Sequence, residues 1–450
     1  MLRLLFVVAL MLFGAAQSFR GPFYALLFYL GFAYFRPETW IWGSQLQALN
    51  LSFIIGLWVV GYTLVSKRDR IEISTPVLLI LAFLLHGLIS TALSDYFEWS
   101  FPWWRGFAKV SVVTVLIISL VNTQERFRTT LVVISLSLGF EGVKQGWFHL
   151  LLNPNERNLN PIEILGDNNG VAVGMLMLSA VILSLFQTTS KTTGKGLFGF
   201  MLVGSVFRAL STFSRGGLLA FAAMTTVYWS RSKHKIRTGI LIGGMATLLL
   251  SALPSSYWNR MDTIAADKDQ RDFSTAGRLF FWGIAVQMAN EHPLLGIGHT
   301  NFQVAYNKYD PTNGMWGRGR AVHSTWFGVL AEQGYVGLIM LVTIIFIALR
   351  ACGRVRKRAR RAPNGEQVFA YANGMQAALI AGVVGGTFLS YHYVEVLWHF
   401  IGLAIALERV AAHELAKEVV VTPAAAPLQP VFALTAPSGL ARTATVDRRS

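Results

Sequence analysis

The chain has 450 residues, of which 53% are hydrophobic and 14% charged, and its formal net charge is +16. Soluble domains carry roughly 25% charged residues, so that class is excluded, and the basic residues lie in short loops between apolar blocks, which argues for membrane topology rather than nucleic-acid binding. The single cysteine, Cys352, rules out an intrachain disulfide and any cysteine-built metal site.

Thirteen apolar segments follow one another near 2–17, 22–35, 50–66, 75–94, 106–122, 128–150, 168–187, 196–213, 216–230, 238–253, 324–349, 367–390 and 392–411. Many approach the ~20 residues that cross a bilayer. Backbone groups in lipid must be satisfied within their own segment, so these pieces are expected to be helices, and the alternation of a barrel strand is absent. The expected fold class is an all-α polytopic membrane protein with about 12–13 transmembrane helices. The opening MLRLLFVVALMLFGAAQS resembles a secretory signal with a small-residue cleavage site. Cleavage would leave Arg20 outside, against the loop parity described next, so the segment is kept as a membrane helix.

Basic residues gather in alternate connections: Lys67, Arg68 and Arg70; Arg126 and Arg128; Lys191 and Lys195; Arg231, Lys233, Lys235 and Arg237; and Arg350, Arg354, Arg356, Lys357, Arg358, Arg360 and Arg361. The short intervening loops hold Arg36, Arg105, Arg157 and Arg215, four against eighteen. The basic connections are therefore assigned to the cytoplasm. The long insertion between the tenth and eleventh segments is then external. Four regions result: N-terminal membrane helices over 1–253, an external loop with an amphipathic helix over 254–322, C-terminal membrane helices over 323–413, and a tail over 414–450. The tail is rich in Pro, Ala and Thr and is expected to be a disordered cytoplasmic end. No internal repeat is visible, which weakens a transporter reading based on duplicated halves.

A loop of about seventy residues without structure is uncommon unless it is functional or disordered. Within it, residues 278–291 fit a helix that His292-Pro293 ends. Arg278 falls in the first turn, where a bound anion would offset an unfavourable helix dipole and meet free N–H groups. Snorkelling to lipid headgroups is the alternative. Arg215 lies in STFSRGGLLAF, where Gly216 and Gly217 suit a tight hairpin; a partner anion and a headgroup contact are both open to it. His323 stands where DPTNGMWGRGRA meets a membrane-length apolar run. It reads as a proton-transferring group at the interface or as an interfacial anchor beside Trp326. Arg318 and Arg320 flank it, as phosphate or sugar contacts or as solvated loop charge. His299 reads as structural. Tyr306 and Tyr309 either stack on sugars or pack the loop. Glu332, nine residues past His323, would face about 180° away on a regular helix. Glu141 and Lys144 are expected to pair. His392, Glu395 and His399 share a helical stripe, read as a polar network rather than a metal site.

Taken together, FRPETWIWG, GDNNGVAVGM, STFSRGGLLAF, GRLFFWGIAVQMANEHPLLGIGHTNF and AVHSTWFGVLAEQGYVGL resemble the O-antigen ligase and polymerase superfamily. The closer likeness is to its exosortase A-associated O-glycosylation ligase branch. The resemblance spans all thirteen segments but not the tail. It implies a C-type glycosyltransferase-like architecture. It further implies an inner-membrane enzyme with its site on the periplasmic face, moving a glycan from undecaprenyl diphosphate to a hydroxyl acceptor without cofactor or metal. Membrane lipids are its surroundings, and nucleic acid is not a partner. The acceptor could be a lipid core sugar, a glycan end or a protein Ser or Thr, so ligase, polymerase and protein O-glycosylation outcomes stay open. The family's two arginines and one histidine match Arg215, Arg278 and His323. Its outer-loop asparagine falls at Asn168 or Asn169, with Asp167 beside it.

The chemistry suits those types. Charge grows on a diphosphate as it leaves, and a guanidinium grips phosphate oxygens with two parallel bonds. An alcohol is a weak nucleophile that a neutral imidazole can deprotonate as it attacks. Attack from the opposite face would invert the anomeric centre. A lipid-linked-glycan flippase is the competing reading from another class, and it would call for polar residues along a central path.

Overall fold

The computed structural model describes residues 2–40, 50–67, 69–262 and 273–416. Arg68 and the tail beyond residue 416 lie outside the described residues, as does part of the long insertion. The described helices are α1 (Leu2–Ser18), α2 (Pro22–Phe35), α3 (Leu51–Val65), α4 (Thr75–Ala92), α5 (Phe97–Leu120), α6 (Gln124–Leu152), α7 (Asn168–Thr188), α8 (Thr192–Leu210), α9 (Arg215–Arg231), α10 (Lys235–Ser251), α11 (Ser255–Asp262), α12 (Phe273–Glu291), α13 (Phe302–Tyr309), α14 (Thr325–Ala359), α15 (Glu366–Gly386) and α16 (Glu395–Ala416). The protein is an all-α polytopic membrane protein. All thirteen apolar segments are helices, and the insertion contributes α11, α12 and α13.

Six helices are long and apolar enough to cross a membrane alone, and α10 with α11, bent by 108° at their junction, would make a seventh. The 12–13 crossings expected from hydropathy exceed this for a physical reason. The helices α1, α2, α3, α9 and α10 have 14 to 17 residues, short of the ~20 of a full span, while α6 and α8, with 29 and 19 residues, are long enough but carry charged residues inside their apolar runs, Glu141 and Lys144 in one and Lys195 and Arg208 in the other. Several boundaries also shift, among them the end of the eleventh segment, at Ala359 instead of 349. The fifth segment starts at Phe97 instead of 106, the loop helix at Phe273 instead of 278, and the last helix at Glu395 instead of 392.

Helix ends sort by charge. At one end Arg126 pairs with Asp69 at 2.7 Å, Arg128 donates to the hydroxyls of Thr188, Thr189 and Tyr371, and Arg409 pairs with Glu72. At the opposite end Arg36 pairs with Glu163 at 2.7 Å, and the α4–α5 connection meets the insertion through Ser94 Oγ, which donates to Ile297 O. The alternation of basic connections in sequence is thus a segregation of ends in space. Arg105 departs from its expected place, lying inside α5 rather than in a loop.

The core is built on α7, whose residues from Gly170 to Ile182 are all buried. It packs against α8, α9 and α15. One face of α9 comes so close that a Cβ on Gly217 would sit 2.9 Å from Ala172 Cβ. That approach is what Gly217 is for. The hairpin before α9 is turned by Phe213 in the left-handed region (φ 57°), not by Gly216 and Gly217, which already lie in the first turn of α9.

The α14 helix is broken at Gly334 (φ 65°, ψ −169°). The 293–298 segment wedges against the break: Ile297 and Gly298 donate to the carbonyls of Ala331 and Glu332, and Tyr335 N donates to Pro293 O at 2.9 Å. Backbone freed by the break is therefore satisfied by backbone of the insertion, as burial demands.

Candidate active site

Three helices begin at the end away from the basic connections, and each is capped there. Asp167 accepts from Gly170 N at 2.8 Å for α7, Ser214 from Gly217 N at 3.1 Å for α9, and Ser324 from Phe327 N at 3.5 Å for α14. Oxygen-bearing residues before an apolar run are what such starts require. The positive ends of three helices consequently point into one region.

Between them lies a cavity of about 410 Å³ lined by Asn169, Arg215, Arg260, Arg278, Arg320 and His323, with Phe281, Trp316 and Phe388 among its apolar walls. Arg215 is 9% exposed and His323 is half-buried. His323 has a left-handed backbone (φ 49°), uncommon for a residue with a side chain and recurrent at functional sites. Its position is held from several sides. Trp282 Nε1 donates to Val322 O at 3.1 Å, and Trp282 stacks on Phe327. Thr325 Oγ1 donates to Leu389 O at 2.9 Å, and Trp326 Nε1 donates to Thr387 Oγ1 at 3.1 Å.

Burial first, and then the Arg278 guanidinium, lower the proton affinity of His323 below that of an ordinary histidine; Asp167 opposes this and Arg320 adds to it. The imidazole is thus neutral at neutral pH and free to accept a proton.

Of the other sequence candidates, Asn169 lines the cavity and its Oδ1 accepts from Ser214 Oγ at 2.8 Å. Asp167 and Asn168 do not line it. Asp167 caps α7, and Asn168 Nδ2 donates to Thr212 O at 2.8 Å in the hairpin before Arg215. Arg318 is exposed and outside the lining, whereas Arg320 donates to Trp316 O and belongs to it. Arg278 is not in a first turn. Helix α12 starts five residues earlier, so its N–H groups at Arg278 are spent within the helix, and only the side chain serves the cavity. Arg260 was missed by sequence reasoning. Its Nε donates to Phe213 O at 3.0 Å, beside Arg157, whose Nε donates to Thr212 O. The available signal was a lone arginine in an otherwise uncharged stretch, PSSYWNRM.

Tyr306 and Tyr309 are buried and pack the loop, Tyr306 against Phe281 at a ring distance of 5.6 Å. Lys144 and Glu141 pair at 2.6 Å. The stripe of His392, Glu395 and His399 does not exist as a helical face, since α16 starts at Glu395. His392 Nε2 approaches Glu332 Oε2 at 3.3 Å, and His399 Nδ1 meets Tyr34 OH at 2.8 Å. Among the described residues, no group of three or more His, Cys, Asp or Glu is placed to hold a metal ion.

A set of cations around an imidazole, at the mouth of capped helices in a membrane protein, is an arrangement that can bind an anion beside a proton acceptor. Residues 200–342, which contain Arg215, Arg260, Arg278, Arg320 and His323, match the family described as O-Antigen ligase, and residues 1–151 match a family of unknown function (DUF5935). The likeness to the O-antigen ligase family is thus carried by the stretch that holds the arginines and the histidine of the cavity. No curated protein matches the chain.

Proposed function

We propose that the protein transfers a glycan from undecaprenyl diphosphate to a hydroxyl acceptor on the periplasmic face of the bacterial inner membrane. The observation that carries this reading is the convergence of Arg215, Arg260, Arg278 and Arg320 with His323 on one cavity. The guanidiniums hold the diphosphate and meet the charge that grows on it, a preorganised effect of several kcal/mol. The acceptor oxygen attacks the anomeric carbon as its proton passes to His323. The bond from that carbon to the phosphate oxygen breaks, and undecaprenyl diphosphate leaves. Attack opposite the leaving group inverts the anomeric centre. Among the described residues the cavity lining includes no carboxylate or thiolate, a poor donor set for a metal, and this reading gives the charge-stabilising role to the arginines. The sequence resemblance favours the exosortase A-associated O-glycosylation branch.

The test is purified protein in nanodiscs supplied with undecaprenyl-diphosphate-linked glycan and three acceptors: a lipid core sugar, a glycan end and a Ser/Thr peptide. Mass spectrometry of the products should show one new glycosidic bond, absent with His323→Ala. Passage of the lipid across the bilayer with no covalent product overturns the reading in favour of a flippase.

A further inference from the structure

A second cavity, also about 410 Å³, lies beyond the segment that ends in His323. Arg320 and His323 line the first cavity, while Ala321 and Val322 line the second. One short stretch of backbone is therefore the partition between the two. The second cavity falls in the size range of small-molecule sites, and the transfer reading assigns it no role.

Its lining mixes aromatic faces with polar atoms that the protein leaves unsatisfied. Trp103, Phe107, Phe302 and Tyr393 supply the rings. His299 is 1% exposed and His392 5% exposed, and the Nδ1 of each has no hydrogen-bond partner among the described residues, nor does Glu395 Oε2. The orientations are set independently of any ligand. His299 stacks on Tyr393 at 3.7 Å, Gln333 Nε2 donates to Tyr393 OH at 3.0 Å, and Glu332 accepts from Phe302 N at 3.4 Å while facing His392. Buried polar atoms of this kind are costly when left unpaired, so their retention calls for a ligand rich in both donors and acceptors. Three carboxylates, Glu163, Glu332 and Glu395, face a single cation, Arg36, which is already paired with Glu163 at 2.7 Å, so the lining disfavours an anion, unlike the cavity lined by four arginines. A ligand that offers hydroxyls to carboxylates and imidazoles, and an apolar ring face to Trp103 and Tyr393, is a neutral saccharide.

We propose that the second cavity is a saccharide subsite, holding sugar of one transfer substrate against the partition that carries His323. Its placement beside the reacting cavity rests on the transfer reading; saccharide binding itself does not. The same sugar chemistry could come from the acceptor or from the glycan of the donor.

The experiment uses the full-length protein in nanodiscs, with saturation-transfer NMR of glucose, N-acetylglucosamine and lactose as probes. Wild type should bind at least one of them. Trp103→Leu, at a half-exposed position, and Glu395→Gln should each weaken that binding about ten-fold or more, while Arg278→Lys in the first cavity should not. No saturation transfer to any probe in wild type, or undiminished binding in Trp103→Leu and Glu395→Gln, overturns the proposal. In the transfer assay, a KM in Trp103→Leu raised for the acceptor alone assigns the subsite to the acceptor. A KM raised for the lipid-linked donor alone assigns it to the donor glycan, and KM values unchanged for both overturn it as a substrate subsite. Saccharide binding without any transfer would remove the proposed function and leave this subsite standing.

Discussion

The indole of Trp282 donates to the carbonyl of Val322 at 3.1 Å, fastening the residue before His323 to the helix that carries Arg278. That hydrogen bond is one of the ties that set the imidazole relative to one of its guanidinium neighbours, beside the stacking of Trp282 on Phe327. Trp282→Phe keeps the stacking surface toward Phe327 and removes this bond. A hydrogen bond of about 1 kcal/mol translates to roughly a five-fold fall in kcat if it is felt in full at the transition state. Transfer assays on protein of unchanged melting temperature check this, and an unchanged kcat would show that the 320–324 segment is held adequately without it.

His323→Asn tests the imidazole apart from its backbone. Asparagine tolerates the left-handed conformation better than most residues, so the φ of 49° is kept. Loss of a general base typically costs ~10²–10⁴-fold, and transfer by His323→Asn should fall within that range with the protein still inserted and folded. Turnover within a few-fold of wild type would remove the general-base assignment.

In the proposed reaction Arg278 acts on both the diphosphate and the histidine. Arg278→Lys loses the two-pronged phosphate contact and should reduce kcat/KM by at least ten-fold. The pH profile carries a second readout. The base is active when deprotonated, so activity is present above its pKa and lost as pH falls through it. Burial and then Arg278 lower that pKa, so wild type should keep its acid limb below the usual histidine range near 6.5. Arg278→Gln removes the charge and should move the acid limb to higher pH, while Arg278→Lys should leave it close to wild type. Identical acid limbs in wild type and Arg278→Gln would mean that another group sets the profile.

Gly334 is a structural position with a sharp expectation. Its φ and ψ lie in a region that is essentially glycine's alone, and a Cβ there would stand 2.5 Å from Pro293 O. Gly334→Ala should destabilise the protein by roughly 2 kcal/mol or more, read as a fall in melting temperature and in the yield of monodisperse protein. A neutral outcome would mean that α14 can straighten past the insertion.

The helical body was legible in the sequence because lipid leaves the backbone one local solution, and thirteen apolar runs announce it without reference to their neighbours. The sorting of ends was legible too, since charge placement is written loop by loop. Arg215, Arg278 and His323 could be picked out because each sits as an isolated polar group at the edge of an apolar run. Other features depended on distance in space. Arg260 joins the cavity through the bend between α10 and α11. Arg320 enters it and Arg318 does not because backbone direction changes at Gly317 and Gly319, both with positive φ. Glu332 meets His392 across 60 positions of chain. Local composition determines what a segment can satisfy by itself, so it decided the helices, the sorting of their ends and the chemical types available. Which of those side chains share a cavity depends on how helices of unequal length and bend pack, and only the tertiary structure decided that.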